Sequence, residues 1–133
     1  MTAQALTLRD PSFIYRFDAA LSLAMGFGLI LLAAPLAALI GWAPMQMILV
    51  GAGIFLFPWA FFNWTIGAAA GPDRLSLAVN ITGDMLWAVA SVALLVLYSA
   101  QITLIGVTLI AAQALFVAGV GAFKIVGRKL LEA

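Results

Sequence analysis

Apolar positions fall into four long runs, roughly Phe17–Ile40, Pro44–Ala69, Leu75–Tyr98 and Ile102–Val126. Each exceeds the roughly 20 residues that a helix needs to cross the hydrocarbon of a bilayer. None alternates with a period of two, and each is too long for a barrel strand. The pattern predicts four transmembrane helices.

The breaks between runs carry the residues that end helices. Gly41-Trp42-Ala43-Pro44 separates the first two, and Pro44 suits a first helical turn. Gly71-Pro72-Asp73-Arg74 separates the second and third. Tyr98-Ser99-Ala100-Gln101 has neither Gly nor Pro, so the last boundary rests on length: about 50 apolar residues without a turn would overshoot the bilayer. Pro11 is expected to open a short interfacial segment, and Pro35 and Pro58 are expected to kink the helices that contain them.

Composition fits a lipid surround. Of 133 residues, 66% are hydrophobic and 8% charged, and mean hydropathy is +1.21. A soluble domain carries about 25% charged residues, and one core of this size could not hide so much apolar surface. The expected fold is an all-α membrane protein: a single four-transmembrane-helix bundle over residues 1–133, with antiparallel up-down topology.

Charge orients it. Arg9 and Arg16 precede the first run, Arg74 sits in the middle loop, and Lys124, Arg128 and Lys129 close the last. The loops around Gly41 and Ser99 carry no charge. The positive-inside rule then places both termini in the cytoplasm, in a multi-pass protein of the bacterial inner (cytoplasmic) membrane. Trp42 and Tyr98 would sit at the outer interface, with Tyr15 and Phe123 near the inner one. Gly26 and Gly28, Gly51 and Gly53, Gly67 and Gly71, and Gly119 and Gly121 offer small surfaces for close helix packing.

The same composition excludes several chemistries. Net charge is +1, which argues against nucleic acid as a partner. Cys and His are both absent. That removes thiolate and imidazole metal ligands, the usual haem ligands and the commonest general base, so no metal and no cofactor is expected. Neither a glycine-rich nucleotide loop nor a pair of closely spaced carboxylates is visible, and no enzyme is expected.

Polar groups inside the spans are costly, and they mark the candidate site. They are Asp18, Asn63, Asn80, Asp84 and Gln113, with Trp87 beside them. Counting from the turns at 1.5 Å per residue puts Asp18, Asn63 and Asn80 in one layer of the cytoplasmic half. Asp84 and Gln113 fall near the bilayer middle by the same count. Asn80 and Asp84 are four apart and share a helix face, which Trp87 and Ser91 continue. Asp84 is the strongest candidate. Its charged form is poorly solvated at that depth, so it is expected to be protonated and hydrogen-bonded, or paired with a cation. Lys124 lies just inside the cytoplasmic end of the predicted span, out of reach unless it bends inward. A ligand, proton or cation site is one reading of these residues. A neutral Asp84 bonded to Gln113 or a carbonyl, fixing helix register, is the other, and the two weigh about equally. Asp18 is expected simply to reach the interface. Trp59, Trp64 and Trp87 are read as ordinary core or lipid-facing aromatics. A faint echo links Asp18-Ala-Ala-Leu-Ser-Leu-Ala to Asp84-Met-Leu-Trp-Ala-Val-Ala, and chance explains it adequately.

Four local features carry a resemblance: Arg16-Phe17-Asp18, Asp84-Met85-Leu86-Trp87, Gln113-Ala114 and Arg128-Lys129. With them the chain resembles uncharacterised small four-helix bacterial integral membrane proteins, a group that implies a fold and no activity. It is superficially similar to small multidrug exporters, but their membrane acid is a Glu in the first helix, and no Glu lies in any span here. It is also broadly similar to DoxX-type four-helix proteins, a likeness of outline that no motif carries. The functional expectation is a binding or accessory bundle in the lipid bilayer. It would pack with a membrane-protein partner or homo-oligomer, or hold a lipid or hydrophobic ligand near Asp84. The alternative is an oligomeric proton-coupled transporter of small hydrophobic compounds with Asp84 as proton carrier.

Overall fold

The computed structural model describes residues 10–132, so Arg9 lies outside the described residues. The described chain is helical throughout, with no strand. The helices are α1 (Phe13–Leu31), α2 (Ala33–Ile40), α3 (Met45–Ala68), α4 (Arg74–Tyr98) and α5 (Leu104–Glu132). A 3-10 turn, Ser99–Gln101, joins the last two. Four helices are long and apolar enough to cross a membrane: α1, α3, α4 with its 3-10 extension, and α5.

Pro35 explains why the first limb is two helices. Proline has no N–H to give to the carbonyl four residues back, here Leu31, and its ring crowds that carbonyl. The helix breaks at Leu32 (φ −106°, ψ 14°) and restarts at Ala33. Leu32 N–H still donates to Gly28 and Leu36 N–H to Leu32, each at 2.9 Å, so the limb continues in one direction. Pro58, by contrast, lies within an unbroken α3. Pro11 follows Asp10 in a turn whose carboxylate accepts from Ser12 N–H at 3.0 Å and Ser12 Oγ at 2.8 Å. Asp73 caps α4 by accepting from Ser76 N–H at 3.0 Å and its hydroxyl at 2.7 Å, and those bonds hold its carboxyl below the usual carboxylate range.

Consecutive long helices run antiparallel and pair as two hairpins. In the α1–α3 hairpin Gly26 sits against Gly53, and Arg16 against Gly67. In the α4–α5 hairpin Asp84 lies beside Gly121, and Trp87 bonds to Gln113. Gly26, Gly53, Gly67 and Gly121 all face a neighbouring helix, whereas Gly28, Gly51, Gly71 and Gly119 meet nothing within 4 Å. Each expected glycine pair is therefore split between a seam and an open face, and Gly67-x-x-x-Gly71 does not act as one motif.

Thr103 ties the two hairpins at the end away from the termini. Its N–H donates to the Ile40 carbonyl at 2.9 Å and its hydroxyl to the Leu39 carbonyl at 2.6 Å. The same hydroxyl accepts from Gly106 N–H at 3.1 Å, capping α5. Trp42 and Tyr98 stack at that end, with ring centroids 4.6 Å apart. Gly41 makes the turn possible at φ +80°, and a Cβ there would lie 2.7 Å from Thr103 Cγ2. Gly41→Ala is expected to cost about 1–2 kcal/mol for the left-handed backbone alone, with the crowding added. Thermal unfolding in detergent would register this as a clear fall in Tm.

Apolar clusters close the bundle at both ends. Ala37, Ile40, Met45, Ile102 and Ile110 form one near the Thr103 end. Tyr15, Ile66 and Leu77 form the other, toward the termini. Tyr15 is fully buried there, not placed in an interfacial belt as its position in the chain suggested, while Phe123 is exposed.

Candidate functional site: a lysine held by four helices

Between the two apolar clusters lies a polar centre built on Lys124, which is completely buried. Its Nζ donates to Asp18 Oδ2 at 2.6 Å, Asn80 Oδ1 at 2.7 Å, Asp84 Oδ2 at 2.7 Å and Asn63 Oδ1 at 3.0 Å. The four oxygens come from α1, α4 and α3, and the ammonium from α5, so one nitrogen joins all four long helices. An ammonium has three N–H bonds, so four acceptors at these distances must share them. The Tyr15 ring lies 5.0 Å from Nζ, within cation–π range.

Local structure sets this up. Ser22, one turn beyond Asp18, donates to Asp18 Oδ1 at 3.1 Å and orients that carboxylate. Asn63 Nδ2 donates to the Trp59 carbonyl at 3.0 Å, which turns its oxygen toward the lysine. Asn80 and Asp84 share one face of α4, and Gly121 brings α5 against that face, where its hydrogens meet Met85.

Two expectations are corrected here. Lys124 does reach Asp84, because α5 packs Gly121 against Asp84 and Lys124 stands three residues further along the same helix, which continues to Glu132. Asp18 does not reach the interface: it is buried and forms an ion pair with Lys124. Asp18, Asn63 and Asn80, grouped at one depth by counting, meet at one atom, and Asp84 joins them.

Gln113 and Trp87 form a second group instead of completing the first. Trp87 Nε1 donates to Gln113 Oε1 at 2.8 Å. Gln113 Nε2 donates to Ser91 Oγ at 2.7 Å and to the Ile110 carbonyl at 3.0 Å. Ser91 Oγ donates to the Trp87 carbonyl at 2.9 Å. Gln113 therefore bonds within the α4–α5 hairpin and not to Asp84. Phe55 stacks with both Trp59 and Trp87, linking this group to α3, while Trp64 stands apart and exposed.

The two aspartates of the faint repeat are the two carboxylates of the centre. No group of three or more potential metal ligands among His, Cys, Asp and Glu occurs among the described residues. Lys124 was missed as a site residue, although Gln113 and Lys124 are eleven residues apart. That spacing is close to three full turns and puts both on one helix face. Comparison with protein-family models, with curated proteins and with solved structures finds no match for this chain.

Proposed function

We propose that the protein is a small multi-pass accessory bundle. On this reading it packs through its apolar exterior with a membrane complex, or holds a lipid-like ligand there, and it conducts no solute. The observation that supports this is the occupied centre. Lys124 fills the space among Asp18, Asn63, Asn80 and Asp84, and each of those residues is spent on holding it. A carrier needs its acid to face a substrate, and here the acid faces an internal cation. Shallow grooves lie outside, one along α3 at Gln46, Met47, Val50, Gly51 and Ile54, the other, more apolar, between α3 and α4 at Trp59, Val79, Gly83 and Leu86. A hydrophobic ligand would sit in such a groove and not beside Asp84.

The orientation proposed is termini inward, in a bacterial inner membrane. With Lys124 neutralised inside the bundle, the remaining basic residues (Arg9, Arg16, Arg74, Arg128 and Lys129) still fall on the terminal side, and the other end carries none.

Proteoliposomes carrying a pH gradient test the reading, with ethidium as a hydrophobic probe. The expected result is no gradient-driven uptake by wild type or Asp84→Asn, with lipid or partner subunits retained in native mass spectra from mild detergent. Uptake by wild type that Asp84→Asn abolishes would establish the transporter instead.

A further inference from the structure

The centre's charges do not balance. Among the groups bonded directly to one another, Lys124 contributes +1, and Asp18 and Asp84 contribute −1 each when ionised, leaving −1 among apolar helices. An uncompensated charge in so poor a dielectric is strongly unfavourable. One proton on either carboxylate cancels it. The two acids are not equivalent hosts. Asp18 Oδ1 already accepts from Ser22 Oγ at 3.1 Å. Asp84 is bonded through Oδ2 to Lys124, and among the described residues no donor reaches its Oδ1.

Two residues that flank the Lys124 ammonium carry idle donors. Tyr15 Oη and Asn80 Nδ2 are buried without a hydrogen-bond partner. Both residues are fully buried, Asn80 already touches Lys124 through its oxygen, and the Tyr15 ring flanks the same ammonium. Unused donors next to a carboxylate can solvate it once its proton has left. The surroundings therefore suit both protonation states. The charged and titratable groups facing the centre are Tyr15 and Asp18 from α1, Asp84 from α4 and Lys124 from α5. Asn63 from α3 and Asn80 from α4 are neutral, and Arg128 lies a turn further along α5.

We propose that the Lys124 centre is a proton-binding site that takes up and releases one proton on Asp84 Oδ1. Tyr15 and Asn80 supply hydrogen bonds to the carboxylate when the proton is gone. Binding converts the Asp84 carboxylate to a carboxylic acid and changes no other bond. The site goes beyond the accessory reading and does not depend on it, because a bundle that conducts nothing can still sense pH.

Infrared difference spectroscopy on the full chain in lipid nanodiscs tests this across a pH titration in H2O and D2O. Above the pH range in which ordinary carboxyl groups protonate, wild type is expected to show one protonated-carboxyl C=O band, equivalent to one proton per chain, that grows as pH falls and shifts in D2O. Asp84→Asn should abolish it. Asp18→Asn should abolish it as well, because Lys124 and Asp84 then form a neutral pair. Tyr15→Phe should keep the band and move its midpoint to higher pH, since the ionised form loses a donor. A carboxyl band in wild type that is absent, or constant with pH, overturns the proposal whether or not any variant folds. A band titrating in that same range that persists in both Asn variants overturns it too, by placing the proton elsewhere.

Discussion

Replacing Lys124 with Met is expected to destabilise the bundle more than any other single side-chain change in the centre. The substitution keeps the volume of the stem and removes the charge. Asp18 and Asp84 then face each other with no cation, and Asn63 and Asn80 lose the donor that their oxygens accept from. Removing one partner of a buried ion pair typically costs about 3–5 kcal/mol, and here two pairs are broken together. Conversion of both acids to neutral forms would soften the loss, so the cost should be largest at high pH. The single variants Asp18→Asn and Asp84→Asn should behave quite differently. Each keeps an oxygen acceptor for Lys124 and leaves a neutral pair, so each is expected to be far milder. The double Asn variant leaves a buried ammonium without counter-charge and should again be severe. Thermal unfolding of the five proteins in one detergent checks the order. A Lys124→Met protein that melts with wild type would show that the cluster contributes little to holding the helices.

The second large effect is expected at Gly53. A Cβ on Gly53 would lie 2.9 Å from the Gly26 carbonyl oxygen, 3.3 Å from Ile30 N and 2.7 Å from Ile30 Cγ1. Ile30 Cγ1 belongs to a side chain that can rotate away, but the other two atoms are backbone and can move only if α1 moves. The reciprocal contact is as close, with a Cβ on Gly26 falling 3.0 Å from the Gly53 carbonyl. Gly53→Leu should therefore push α1 and α3 apart along their seam. Overpacking of a tight core costs about 1–3 kcal/mol, and a backbone-to-backbone seam stands at the upper end. Gly51→Leu is the matched control, since nothing lies within 4 Å of a Cβ there. It adds the same side chain, two residues away on the same helix, to an open face. Equal losses of Tm for the two variants would remove the seam as the cause.

The helices were legible because long apolar runs admit few other structures in lipid. The boundaries came within a few residues where Gly41, Pro44 and Asp73 marked them. The end of α5 did not, because Arg128 and Lys129 read as the edge of the membrane while the backbone continues as helix to Glu132. That error hid the centre. With α5 ended at Val126, Lys124 looked like a boundary cation, and Asp84 was left looking for a partner in Gln113. Depth could be counted along each helix, which brought Asp18, Asn63 and Asn80 together correctly. Rotation could not, because almost every side of these helices is apolar and gives no strong facing signal. Two membrane carboxylates and one lysine inside an apolar run were nonetheless visible, and electroneutrality joins them. The buried state of Tyr15 was not legible either. It follows from Ile66 and Leu77 closing around the ring, contacts set by tertiary packing.

All four oxygens that hold Lys124 belong to residues that precede it in the chain. Vectorial synthesis consequently delivers both acids and both amides before the base exists. Until the last span emerges, the nascent bundle has no internal cation and its carboxylates have no counter-ion. Docking of that span then supplies the counter-ion to both acids at once and ties all four long helices together. Its own lysine makes entry unfavourable unless the receptor formed by the earlier helices is already in place. Correct assembly is thus checked chemically at the final step, and a chain misassembled earlier has nowhere to put its lysine.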